Sequence, residues 1–279
     1  MTGNVEIISV GNELLIGKTL NTNAQWLAKR LTLLGLNVRR ITTIGDDIKE
    51  IETAVKEAID RKPNFLITTG GLGPTFDDKT LKGVAKALNV VLSLNTEARK
   101  MIQEKYRAYA KEQGLEEIEL TLARIKMAKL PKGAEPLPNP IGTAPGVRIV
   151  HDKALIVALP GVPSEMEAIF GNSVAPAVRE FAGNVTFFET SLGISGLMES
   201  ELAPIIDKVM DDNSQVYIKS HPRGAEKNPH IELHLSTTAN DSTVAKNRVS
   251  RALIQITDSI QARGGRTTRF KTKKERYFK

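Results

Sequence analysis

Three times in the first ninety residues, a short unbroken apolar run is followed by apolar residues at helical spacing. The run at residues 5–10 stops at Gly11, as a strand buried on both faces does. Ala24, Leu27, Ala28, Leu31 and Leu34 then line one side of a helix expected over residues 22–34, with Asn21 or Thr22 able to cap it and Gly35 able to end it. Residues 37–43 read as the second strand. Ile48, Ile51, Val55, Ala58 and Ile59 mark the next helix, which Pro63 stops. Residues 65–67 form the third run and lead through Gly70, Gly71, Gly73 and Pro74 to a segment with Leu81, Val84, Ala85 and Leu88 at helical spacing. Strand and helix alternating in this way imply right-handed crossovers and a parallel sheet.

Beyond that, residues 96–129 are helix-forming and polar, with Ile118, Leu122 and Ile125 as one modest apolar face. Pro131 and Pro136 break the segment, and residues 139–146 form a loop rich in Gly, Pro and Thr. Residues 154–159 are another buried strand, followed by a helix start in which Pro163 precedes Ser164 and Glu165. After residue 172 the pattern changes to strand 185–192, helix 198–210, strands 215–220 and 230–237, and helix 242–260. That order suits a small antiparallel sheet with helices on one face, a split βαβ arrangement. The expected division is residues 1–172, 173–265 and a basic tail, 266–279. His230, Glu232 and His234 share one strand face, where a solvated polar surface is favoured over a metal site.

The stretch at residues 68–80 carries the most chemistry. Glycines at a strand-to-helix junction let the backbone approach a ligand, and free amides there favour phosphate. Asp77 and Asp78 beside such a cradle would repel a phosphate unless a divalent cation lay between them. The bland alternative is a tight connection with Asp77 as a helix cap. Glu13 and Asp46 also follow strands, so all three acidic turns are expected at one sheet edge, where open α/β sheets place their chemistry. Asp47 reads as an N-cap. Gly11 to Thr19 imitates the phosphate-binding motif G-x-x-x-x-G-K-[ST], but five residues separate its glycines and three are bulky and apolar, so a closed ring of amides is not expected.

Composition narrows the field. The 279 residues contain no cysteine and four histidines, which excludes thiolate chemistry and leaves a histidine-rich metal site or Ser–His triad poorly supplied. The formal charge of +7 belongs to residues 263–279, which hold eight Lys or Arg and one Glu, and the rest of the chain is neutral. That tail is expected to be solvated, with weak nucleic-acid contact as a further role. No leader or membrane-spanning run is evident, so a cytoplasmic location without membrane association is expected.

Five ordered motifs carry a family likeness: V-E-I-I-S-V-G-N-E-L-L-I-G with Asn21-Thr22-Asn23, Ile44-Gly45-Asp46-Asp47, T-T-G-G-L-G-P-T-F-D-D, G-T-A-P-G and L-P-G-V-P-S-E-M. Together they resemble the N-terminal domain of the competence/damage-inducible protein CinA, which is similar in turn to the molybdopterin-binding domain of the MogA and MoaB type. The likeness is strong to residue 172 and looser over 185–265. It implies a three-layer α/β/α domain, commonly a homo-oligomer, that binds a nucleotide or pterin phosphate. For CinA-type proteins it implies divalent-metal-dependent hydrolysis of ADP-ribose-like nucleotide diphosphates. The separate C-terminal amidohydrolase domain of full-length bacterial members is not expected in this chain.

In the pterin-binding relatives a functional aspartate falls on Asp78 and the acidic turn on Asp46. Asp77 departs from that pattern, where the place is usually basic, and Glu13 has no acidic counterpart. The leading expectation is therefore a pyrophosphatase with Asp78, Asp77, Asp46 and Glu13 as catalytic groups. Asp46, Asp77 and Asp78 would hold magnesium, manganese or cobalt and orient a water. Substrate would be held by Thr69, Gly70, Gly71 and Gly73, with Asn23, Gly142, Thr143, Gly161 and Ser164. The alternatives are nucleotidyl transfer to a molybdopterin-like acceptor, pterin binding in molybdenum cofactor biosynthesis, and a non-catalytic nucleotide-binding module.

Overall fold

The computed structural model describes residues 3–116, 118–223 and 230–269, arranged in two compact units, Met1–Ala182 and Gly183–Lys279. The first unit contains, in chain order, β1 Asn4–Val10, α1 Asn12–Leu15, α2 Thr22–Leu33, β2 Asn37–Ile44, α3 Ile48–Asp60, β3 Phe65–Thr69 and α4 Thr80–Ala87. It continues with β4 Leu92–Leu94, α5 Thr96–Glu112, α6 Leu122–Lys126, β5 Lys129–Pro131, β6 Glu135–Leu137, β7 Gly146–His151 and β8 Ala154–Leu159. Helices α7 Pro163–Ile169 and α8 Ala175–Ala182 complete it, joined by a π-turn at Phe170–Val174. That continuous helical path buries Phe170, Val174, Ala175 and Val178, which carries the first unit ten residues beyond the boundary expected at 172.

The sheet order is β2-β1-β3-β8-β7-β6. The first four strands are parallel, while β7 runs antiparallel to β8 and β6 antiparallel to β7. Alternation along the strands feeds two cores. Val5, Ile7, Phe65 and Ile67 face α2, α7 and α8. Ile8, Leu66 and Ile156 face α3, α4 and α5. This is the expected α/β class in three layers with a mostly parallel sheet. Asp47 caps α3 as expected, its Oδ1 accepting the amides of Lys49 at 2.7 Å and Glu50 at 3.1 Å.

One polar pair interrupts the apolar alternation. Glu6, 5% exposed, takes both Nε and Nη2 of Arg61 at 2.8 Å, a bidentate geometry that offsets the cost of burying the carboxylate. Farther along, Leu122 is 86% exposed, so the apolar face expected from Ile118, Leu122 and Ile125 does not form. Helix α5 instead buries Ala98, Ile102 and Ala110.

The second unit contains β9 Thr186–Ser195, α9 Glu199–Asp212, β10 Tyr217–Arg223, β11 His230–Ala239, α10 Ser242–Gln261 and β12 Arg266–Arg269. Its order, β10-β11-β9-β12, is antiparallel at every neighbour, with α9 and α10 packed on the face formed by Leu192, Ile194, Leu233 and Leu235. The split βαβ expectation thus has one further strand. Residues 266–269, read as the start of the tail, pair with β9, and residues 270–279 lie outside the described residues. On β11, Glu232 pairs with Arg223 at 2.6 Å and His234 at 3.1 Å, a polar network on the strand's outer face.

Candidate functional site

The first unit's sheet reverses its strand order between β1 and β3, because α2 crosses one face and α3 the other. Crevices at such switch points lie outside the carboxyl ends of the strands. Here the turns after β1, β2, β3 and β8 enclose a cavity of about 390 Å³. All three expected acidic turns reach it: Glu13, Asp46, Asp77 and Asp78 line its walls.

Its floor is glycine backbone pressed against neighbouring chain. Gly70 has φ +102°, and a Cβ there would lie 2.2 Å from the Val10 carbonyl oxygen. Gly71 has φ +67°, with Thr80 Oγ1 2.2 Å from the corresponding position. The Gly70 amide donates to Leu159 O at 3.0 Å, which removes it from the expected phosphate cradle. The amides of Gly71, Leu72 and Gly73 make no hydrogen bond within the described residues, so two of the expected donors, Gly71 and Gly73, remain available and Leu72 joins them. Helix α4 begins at Thr80, not at the aspartates; its hydroxyl donates to Gly70 O at 2.8 Å and its amide to Gly71 O at 3.2 Å.

Asp77 and Asp78 therefore organise the turn and not a helix start. The Thr75 hydroxyl lies 2.5 Å from both Asp77 Oδ1 and Asp78 Oδ2, and the Thr75 amide donates to Asp78 Oδ2 at 2.8 Å. The Thr75 hydroxyl, the backbone amide of Asp77 itself and the charges of Lys126 and Lys79 hold the Asp77 carboxyl below its ordinary value. Lys126 donates to Thr75 O, and its ammonium is shifted down by burial against the opposing attraction of Asp78 and Asp77. Asp46 is tied to the first turn, accepting the Asn12 amide at 2.8 Å and donating its own to Asn12 Oδ1 at 3.3 Å. The expected metal set of Asp46, Asp77 and Asp78 is not assembled. Among the described residues no group of three or more His, Asp or Glu is placed to hold an ion.

The remaining expected contacts divide. Thr143 and Gly161 line the cavity. Thr69 and Asn23 act as a strap: Asn23 Nδ2 donates to Thr69 Oγ1 at 3.0 Å and Gly161 O at 2.8 Å, and Thr69 Oγ1 donates to Pro160 O at 3.0 Å. Gly142 packs against the Glu165 carboxylate, whose Oε2 would lie 2.1 Å from a Cβ there. Ser164 is exposed and lines no described cavity.

One residue of the wall, and the buried residue that holds it, were passed over by sequence reasoning. Glu165 adds a fifth carboxylate to the cavity. Asn139, 6% exposed, donates from Nδ2 to Glu165 Oε2 at 2.7 Å and to Ala144 O at 2.8 Å, while its Oδ1 accepts the amides of Ile141 and Gly142. A glycine–proline loop paired with a Glu in a first helical turn was the available signal. Glu13 is the least committed of the five acids. Its carboxylate folds over Gly11 and makes no hydrogen bond among the described residues.

Residues 6–180 match the family described as a probable molybdopterin binding domain. The chain belongs to this family. A protein of Pyrobaculum aerophilum is 46% identical over 268 residues, covering 95% of this chain and 97% of its own. One of Sulfurisphaera tokodaii is 44% identical, with coverages of 93% and 96%. Among solved structures, CinA of Thermoplasma acidophilum, a protein described as of unknown function, is 40% identical with a TM-score of 0.56, covering 63% of this chain and 98% of that one. The match of the molybdopterin-binding domain lies within the first unit and contains the whole cavity, and the CinA likeness read from the motifs stands beside it. No helix among the described residues is long and apolar enough to cross a membrane.

Proposed function

We propose that the first unit binds a molybdopterin-type pterin phosphate and serves molybdenum cofactor biosynthesis. The supporting observation is the cavity's two-sided chemistry. Three consecutive amides, those of Gly71, Leu72 and Gly73, lack an acceptor on one wall, and the carboxylates of Glu13 and Glu165 stand on others. A phosphate suits the amides. The amino and ring N–H donors of a pterin suit carboxylates, so the acids face donors and not phosphate. The domain match over residues 6–180 supports the same class of ligand.

The test combines release of bound pterin, read by fluorescence after oxidation, with calorimetric titration of a pterin phosphate. Binding is expected, and Glu13→Gln is expected to weaken it about tenfold by removing a charge-assisted acceptor, with no loss of thermal stability. Absence of binding to the folded wild type would overturn the reading. The second reading is hydrolysis of ADP-ribose-like diphosphates, favoured by the five carboxylates. The carboxylates do not form a ready cage, so the ion would have to enter chelated by the diphosphate substrate itself. AMP release from ADP-ribose with magnesium, manganese or cobalt, without pterin binding, would place this reading first.

A further inference from the structure

A second cavity, of about 430 Å³, lies behind the glycine turn and shares Gly71, Leu72, Gly73 and Asp78 with the first. Its electrostatics are opposite. Lys79, Lys82, Lys126 and Lys129 line it, against Asp78 alone among acids. We propose that this chamber is a separate binding site for an oligophosphate anion, a chain of two or three phosphoryl groups.

The lysines converge from three segments. Lys79 precedes α4, Lys82 lies in its first turn, and Lys126 and Lys129 flank the junction of α6 and β5. None of the four forms a close ion pair with a carboxylate among the described residues. The neighbouring acids are already engaged: Asp47 accepts the α3 amides, and Asp77 and Asp78 hold Thr75. Burial works against the charge of Lys126, a cost that an incoming anion would relieve. The floor is apolar, made by Ile48, Leu81 and Leu92, so there is little acid for the lysines to turn to. Four ammonium groups against one carboxylate match an anion of three or four charges better than a single phosphate. Lysine supplies this as a set of point charges and needs no fixed fork.

The site shares the glycine turn with the proposed pterin cavity, but its four lysines line this chamber and not the first, so a test at the lysines separates the two. Inorganic tripolyphosphate is titrated into the full chain by calorimetry in metal-free, low-salt buffer, alongside Lys82→Glu/Lys129→Glu, a double change at exposed positions. Wild type is expected to bind at one site, with affinity falling as salt rises. The double variant is expected to lose at least about tenfold in affinity while its pterin phosphate titration and melting temperature stay as in wild type. Equal tripolyphosphate affinity in both proteins, or none in wild type, would overturn the oligophosphate site and leave the pterin reading standing on its own titration.

Discussion

Replacing Gly70 by alanine tests whether close backbone approach, and not flexibility, is what the glycine turn requires. The added Cβ would sit 2.2 Å from Val10 O, an atom fixed in the sheet, at a φ of +102°. The left-handed backbone costs an L-residue about 1–2 kcal/mol. Overpacking against a group that cannot yield adds about 1–3 kcal/mol. The sum, roughly 2–5 kcal/mol, corresponds to a fall of roughly 10 °C in melting temperature for a unit of this size. Trp26, the single tryptophan, reports the first unit specifically, because it packs edge-on against Phe170 at 5.3 Å. Thermal unfolding followed by its fluorescence is the assay. Gly133→Ala is the control, with φ +87° and nothing within 4 Å of the added Cβ, so only the backbone cost of about 1–2 kcal/mol remains. Gly161→Ala completes the series, since its Cβ meets only Gly70 Cα at an ordinary 3.4 Å. The reasoning is refuted if Gly70→Ala costs no more than Gly133→Ala.

Asn139→Ala should destabilise the first unit by about 2–4 kcal/mol, because it strands two loop amides and the Glu165 contact, and should weaken pterin phosphate binding; unchanged denaturant midpoints would contradict this. Asp47 has its pKa lowered by the Glu50 and Lys49 amides, so its contribution to stability is present above the ordinary carboxylate value of 3.8 and is lost as pH falls through the depressed folded value. Wild type should therefore melt above Asp47→Ala at neutral pH, and the gap should close below pH 3.8, as read by calorimetry across the acid range.

Much of the site was legible because it is written at strand ends. A buried apolar run followed by glycine or an acid marks the turn after a parallel strand, which is how Glu13, Asp46 and residues 68–78 could be brought to one edge. What was missed arrives from segments whose local pattern says something else. Lys126 lies in a polar helical stretch that reads as solvated surface, and only the fold carries it to Thr75. Strands β4, β5 and β6 are three residues each, too short for a period to show. The aspartate pair is a different case. Two adjacent carboxylates beside a helical pattern suggest a helix start, whereas the helix begins at Thr80 and both carboxylates engage Thr75, a tertiary detail that no spacing rule contains. Asn139 and Glu165 are 26 residues apart and meet only when the sheet is complete.

The strap from Asn23 through Thr69 to Gly161 sets the moment at which the site can exist. Its longest tie spans 138 residues of sequence, from α2 to the turn after β8. Strands β1 to β3 can pair early, but a chain emerging from the ribosome has no closed cavity until β8 has been inserted beside β3 and its following turn has reached Asn23. Local pairing precedes such long-range closure because the loop entropy must be met first. Ligand capture is thus a late event in maturation, and a nascent or truncated first half would carry the acidic and glycine turns without being able to retain what they bind.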